Sequence, residues 1–251
     1  MQTVPPPNGR PPRAFILLLC LTLVSGCVPA ATGKDQPAAL EQAREPARAA
    51  VADDGLLRIV AFGDSLTAGL GLPAEDAYPA RLQERLESAG YRARVVNAGV
   101  SGETTAGGLR RMAWALEGEV HILILALGGN DGLRGLPVDQ MQDNLARMIA
   151  AARDSGAQVL LAGMEAPPNL GADYTDRFRG AFEQLAAEYE VAYLPFLLEG
   201  VAGIAELNQA DGIHPNAEGA ERVAAQVWSA LEPMLVAAQG SLAAAARPGG
   251  S

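Results

Sequence analysis

The sequence predicts an α/β domain of three layers, a parallel sheet with helices on both faces. Two observations carry this. Short, unbroken apolar runs recur along the chain, and segments with apolar residues at helical spacing lie between them. An unbroken run is a strand with no polar face, so both its faces need covering, and the amphipathic helices supply the cover. Hydrophobic residues make up 49% of the 251-residue chain, enough for a sizeable core.

The elements follow in order. Residues 57–62 form the first apolar run. Leu82 and Leu86 mark a helix that ends at Gly90, a residue suited to a left-handed cap. A second run covers 93–97, followed by a helix bearing Leu109, Met112 and Leu116. The third run, 122–127, precedes a helix with Met141, Leu145, Met148, Ile149 and Ala152 on one face, closed by Gly156. The fourth run is 159–163, and its helix carries Phe178, Phe182, Leu185 and Tyr189. The fifth run is 191–194, after which Asn216 can cap a last helix with Ala220, Val223, Val227 and Leu231 on one side. Five strands make a doubly wound sheet, whose ligand crevice lies at the carboxyl ends of the strands. Functional residues are therefore expected just after strands.

The ends of the chain read differently. Arg10 and Arg13 precede a short apolar run, and Val24-Ser25-Gly26-Cys27 closes it. The run is too short to span a bilayer and has the form of a signal-peptide core. Small residues directly before Cys27 resemble a bacterial lipobox, so 1–26 are expected as a lipoprotein-type signal peptide and Cys27 as the lipidation site. An ordinary secretory signal cut near Ala30-Ala31 is the alternative. Val28 is not the aspartate of an inner-membrane retention signal, so the expected location is the periplasm, anchored to the outer membrane. Residues 27–55 are rich in Ala, Pro, Glu and Gln and read as a flexible tether, and 238–251 read as a disordered tail. The folded domain is thus expected over 56–237.

Charge and cysteine content exclude other classes. Formal net charge is −10, and no Lys/Arg cluster is present, which argues against nucleic acid as a partner. With Cys20 in the signal and Cys27 acylated, no internal disulfide is expected.

The stretch "AFGDSLTAGLGL" puts Ser65 in a glycine-flanked turn directly after the first strand. It reads as a nucleophile or as the N-cap of a following helix, and the stretch alone does not separate the two. It is not a G-x-S-x-G elbow, because Thr67 holds the last position. A serine hydroxyl needs a base, and the chain has two histidines. His121 opens the third strand, which at ~3.3 Å per residue puts it about 20 Å from the active edge. His214, in "DGIHPN", follows the last strand, on the edge where a base is needed. Asp211 is three residues earlier and can orient the imidazole, or serve only as an Asx-turn aspartate. Acyl transfer also needs donors to the oxyanion. Gly102 in "NAGVSGET" can offer its N–H and Asn130 in "ALGGNDG" its side-chain amide.

Taken together, "GDSLTAG", "NAGVSGET", "LGGNDGLRG" and "DGIHPN" resemble the four blocks of the SGNH hydrolases, also called the GDSL esterase/lipase family. The resemblance covers about residues 57–236, and "GGNDGLRG" is most similar to its periplasmic arylesterase group, with acyl-CoA thioesterase, protease and lysophospholipase activities. It implies a flavodoxin-like α/β/α sandwich and a serine ester hydrolase. It implies Ser65 as nucleophile, His214 as base and Asp211 as its partner, with an oxyanion hole of the Ser65 and Gly102 N–H groups and the Asn130 side chain. Asp131, Gly132 and Leu133, with Pro168, Leu170 and Tyr174 of the loop after the fourth strand, are expected to line the substrate crevice. The implied partner is a small ester or thioester, with no metal or cofactor, and the enzyme is expected to act as a monomer. The alternatives are a carbohydrate O-deacetylase using the same machinery and a non-catalytic surface lipoprotein.

Overall fold

The computed structural model describes residues 56–245, with side chains to residue 238. The expected signal peptide, Cys27, the tether and the final residues 246–251 lie outside the described residues.

Five parallel strands form one sheet in the order β2-β1-β3-β4-β5. They are β1 (Leu57–Gly63), β2 (Ala93–Gly99), β3 (Ile122–Ala126), β4 (Gln158–Ala162) and β5 (Ala192–Leu194). This is the flavodoxin-like order, with its topological switch point between β1 and β3. Every residue of the central strand β3 is buried, as its unbroken apolar sequence requires. Edge strand β2 is only partly covered and carries Arg94 and Asn97 exposed.

Among the described residues seven α-helices accompany the sheet: α1 (Ser65–Ala68), α2 (Tyr78–Ser88), α3 (Thr105–Ala115), α4 (Gly129–Leu133), α5 (Val138–Asp154), α6 (Ala172–Glu188) and α7 (Ala217–Ala245). Helices α2 and α7 pack together on one face, and α3, α5 and α6 pack in series on the other. The residues that set the helical spacing are the buried ones. Leu82 and Leu86 of α2, Leu145 and Met148 of α5, Phe178 and Phe182 of α6, and Val227 and Leu231 of α7 are all shielded from solvent. Helix α3 approaches the sheet closely at Gly108, where a Cβ would sit 2.3 Å from Leu127 Cδ1.

Two features differ from expectation. Helix α7 continues through Ala245, well into the stretch expected as a tail. That stretch lacks an apolar stripe but is rich in alanine, the strongest intrinsic helix former. Helix α4 was not signalled by the sequence, since five residues with two glycines show no helical period.

Candidate active site

Ser65 is the first residue of α1, immediately past the carboxyl end of β1. It is not the helix cap. That role falls to Asp64, whose Oδ1 accepts from the Leu66 N–H at 3.0 Å. An aspartate before a short helix is a favoured N-cap, so this was readable from "GDSL". Ser65 is 8% exposed and Asp64 only 3%.

His214 Nε2 lies 2.9 Å from Ser65 Oγ, and His214 Nδ1 lies 2.7 Å from Asp211 Oδ2. Both readings of Asp211 hold at once, on different oxygens. Oδ1 accepts from the Ile213 and His214 N–H groups at 2.9 and 3.0 Å, an Asx-type turn, while Oδ2 meets the ring. Gly212 supplies the turn with φ of +71°. These bonds, from the His214 backbone and ring and then the Ile213 N–H, hold the Asp211 carboxyl well below the usual carboxylate range. The loop is fastened by Gln209, whose N–H donates to His214 O and whose side-chain amide donates to Leu70 O and Pro215 O. Asn216 caps α7 through the Gly219 N–H, 3.0 Å away. Leu66, Leu70, Leu72, Leu198 and Val223 line an apolar pocket beside Ser65 and His214.

Gly102 and Asn130 follow β2 and β3, the two strands flanking β1. Gly102 is exposed, with φ of +77°. Among the described residues its N–H and that of Ser65 meet no protein acceptor, while the Gly102 carbonyl accepts from Arg134 Nη2 at 2.9 Å. Asn130 Nδ2 donates one hydrogen to Asp64 Oδ2 at 3.1 Å, which leaves its second hydrogen for another acceptor. Burial pushes the Asp64 carboxyl up to about 6, against the hydrogen bonds from Leu66 and Asn130.

The expected crevice residues divide. Asp131 is 3% exposed, and its two oxygens accept from Thr105 Oγ1 and the Thr105 N–H at 2.7 and 2.8 Å. Its carboxylate is committed to the start of α3 and is not offered to a substrate. Gly132 is buried too, with a Cβ position 3.0 Å from the Phe178 ring. Both departures have one cause: residues 129–133 coil into α4, and the turn of the helix puts positions 131 and 132 against the protein. Leu133 is exposed. Pro168 and Leu170 lie in an exposed 3-10 turn, and Leu170 comes near the Cβ position of Gly135. Tyr174 donates its hydroxyl to Leu136 O at 2.7 Å. Leu170 and Tyr174 thus flank the loop that follows α4. His121 sits at the opposite end of β3, where its Nδ1 accepts from the Arg58 N–H.

Comparison with known proteins places these residues in context. Residues 61–222 match the model of the GDSL-like lipase/acylhydrolase family. The chain is 46% identical over 178 residues to esterase TesA of Pseudomonas aeruginosa, covering 70% of this chain and 89% of that protein. It is 35% identical over 189 residues to thioesterase 1/protease 1/lysophospholipase L1 of Escherichia coli K12, covering 75% and 88%. A crystal structure of TesA superposes with a TM-score of 0.68 at 45% identity, over 70% of this chain and 99% of that one.

Proposed function

The chain belongs to the GDSL-like lipase/acylhydrolase family, and from this premise we propose that it cleaves carboxylic esters and thioesters by acyl transfer through Ser65. That it is a serine ester hydrolase follows from the family. The residue roles rest on one observation, the unbroken chain from Ser65 Oγ through His214 to Asp211 Oδ2.

His214 Nε2 takes the Ser65 proton as Oγ attacks the carbonyl carbon. Negative charge develops on the carbonyl oxygen, facing the Ser65 N–H, the Gly102 N–H and the free hydrogen of Asn130 Nδ2. The tetrahedral intermediate collapses, and the leaving alcohol or thiol takes the proton from His214. Water, deprotonated by His214, then attacks the acyl carbon, the acyl–Oγ bond breaks, and Ser65 Oγ takes the proton back from His214 as the carboxylic acid leaves. Asp211 fixes the ring tautomer and balances the imidazolium that forms twice in the cycle.

Exposed apolar side chains on the segments that follow the strands, Val100, Leu133, Leu170 and Ile213, support acyl or aryl esters as substrates over acetylated sugars. The substrate class is that of the relatives: aryl esters, acyl-CoA and lysophospholipids. The N-terminal sequence supports a periplasmic enzyme held at the outer membrane by a lipid on Cys27. Detergent-phase partitioning that disappears in Cys27→Ser tests the anchor, and unchanged partitioning removes it.

The function is tested with p-nitrophenyl esters from acetate to palmitate, an acyl-CoA, a lysophospholipid and an acetylated sugar, beside Ser65→Ala. Hydrolysis of the acyl substrates by the wild type, lost in the variant, is expected. Equal activity in Ser65→Ala overturns the mechanism, and activity on the acetylated sugar alone selects the deacetylase.

A further inference from the structure

Arg111 lies on α3, outside the triad and the three oxyanion donors, yet its guanidinium joins two of the segments that carry them. Nη2 donates to the Gly63 carbonyl at 3.0 Å, two residues before Ser65. Nε donates to Glu103 Oε2 at 2.6 Å, one residue after Gly102, and Nη2 pairs with the same oxygen. The cation also rests 3.9 Å over the centre of the Phe62 ring. Both partners of the pair are well shielded, with side chains 17% and 11% exposed.

The remaining links close a circuit. Thr105, two residues past Glu103, donates twice to Asp131, the neighbour of Asn130. Asn130 donates to Asp64, the neighbour of Ser65. From Gly63 the path runs through Arg111 and Glu103, then Thr105 and Asp131, then Asn130 and Asp64, and returns to its start. Every segment bearing an oxyanion donor is on it. Sheet register fixes the strands, but Gly102 lies beyond the end of an edge strand, on an exposed loop with a left-handed residue. Arg111 reaches that loop and the nucleophile turn with one rigid, forked group, a geometry that lysine cannot reproduce.

We propose that Arg111 is a positioning residue of the oxyanion hole, holding the Gly102 loop at a fixed distance from the Ser65 turn. This rests on the acyl-transfer reading above. Donors must meet the developing oxyanion at about 2.7–3.1 Å, and a misplacement of about 1 Å costs on the order of 10²-fold in rate. Because the oxyanion exists only past the ground state, the loss falls on kcat and not on KM.

Gly107 offers an independent way to disturb the same clamp. A Cβ there would lie 2.7 Å from Glu103 Cγ, so Gly107→Ala displaces the carboxylate without touching Arg111. The full chain is compared with Arg111→Met, Arg111→Lys, Gly107→Ala and, as a stability control, Leu86→Ala, a buried position near the end of α2 at the amino edge of the sheet. The readouts are kcat and KM on p-nitrophenyl butyrate, the rate of Ser65 labelling by a fluorophosphonate, and Tm. Arg111→Met is expected to lose on the order of 10²-fold in kcat and in labelling rate with KM within about twofold. Gly107→Ala should follow it in direction, Arg111→Lys should recover only part of the loss, and Leu86→Ala should lose Tm with kcat unchanged. Should Arg111→Met not fold, Arg111→Lys and Gly107→Ala carry the test. The positioning role is overturned by wild-type kcat and labelling in folded Arg111 and Gly107 variants, or by a loss carried by KM. Failure of Ser65 to label in the wild type removes the acyl-transfer reading and this proposal together.

Discussion

Asn130 Nδ2 and Asp64 Oδ2 share a hydrogen bond of 3.1 Å, which ties the proposed oxyanion donor to the N-cap of the helix that begins with Ser65. Asp64 thus holds two parts of the site with two oxygens. It does so from a buried position that disfavours its own charge.

The charge of Asp64 should therefore be visible in stability against pH. Its carboxyl is raised from 3.8 to about 6 in the folded protein. Below 3.8 the group is protonated in both states and carries no penalty. Between 3.8 and about 6 the unfolded chain gives up its proton while the folded protein keeps it, so stability falls across that window and levels off above about 6. The unfolding free energy of the wild type minus that of Asp64→Asn should fall by about 2 kcal/mol between pH 4 and pH 7. Chemical denaturation at several pH values measures it, and a flat or rising difference contradicts it. Asp64→Asn should also lower kcat, since an amide facing Asn130 Nδ2 is a poorer acceptor than a carboxylate.

Asp211 has the opposite sign. Its carboxyl is depressed, so it favours folding above the ordinary value of 3.8 and loses that favour only as pH falls below it. The stability difference between wild type and Asp211→Asn should be constant from pH 5 to pH 8 and shrink in acid. In kinetics Asp211→Asn should lower kcat by about 10²-fold or more through the wrong ring tautomer. A kcat within fivefold of wild type would show that Asp211 serves the turn alone.

Gly99 ends β2 against the nucleophile helix. A Cβ there would sit 2.2 Å from the Ala68 backbone nitrogen and 2.7 Å from the Thr67 carbonyl carbon. Backbone cannot rotate aside, so Gly99→Ala must push α1 from the sheet. Stability should drop by about 1–3 kcal/mol, and kcat should fall more than in a core variant of equal Tm.

Leu170 is 36% exposed beside the loop that follows α4. If that face receives the acyl chain, Leu170→Ser should raise KM about 10-fold for a decanoyl ester and leave the acetyl ester unaltered. An equal change on both esters would place the acyl chain elsewhere.

The sheet was legible because each strand is a short, mainly apolar run, and the observed ends lie within two residues of those expected. Ser65, Gly102, Asn130, Asp211 and His214 could be picked out because each follows a strand and each brings a residue type with its own chemistry. The clamp around them could not. Glu103 and Arg111 stand eight residues apart across a loop and a helix start, and no periodicity links a cation to a carbonyl 48 positions earlier. Asp131 was misplaced for a related reason. Its motif neighbour Asn130 faces the site, but one helical step turns the next side chain into the protein.

The imidazole and its carboxylate are three residues apart, whereas Ser65 and His214 are 149 apart. One bond therefore closes within a single turn of backbone, and the other carries nearly all the chain-closure entropy of the triad. The proposed base and its orienting carboxylate arrive as one unit, attached to the start of α7. A fluctuation that peels that terminal segment from the sheet removes both from Ser65 in the same event, and no half-assembled triad is populated between. Loss of turnover under mild denaturant should thus coincide with amide exchange in α7, making enzymatic activity a reporter of how firmly the last helix is docked.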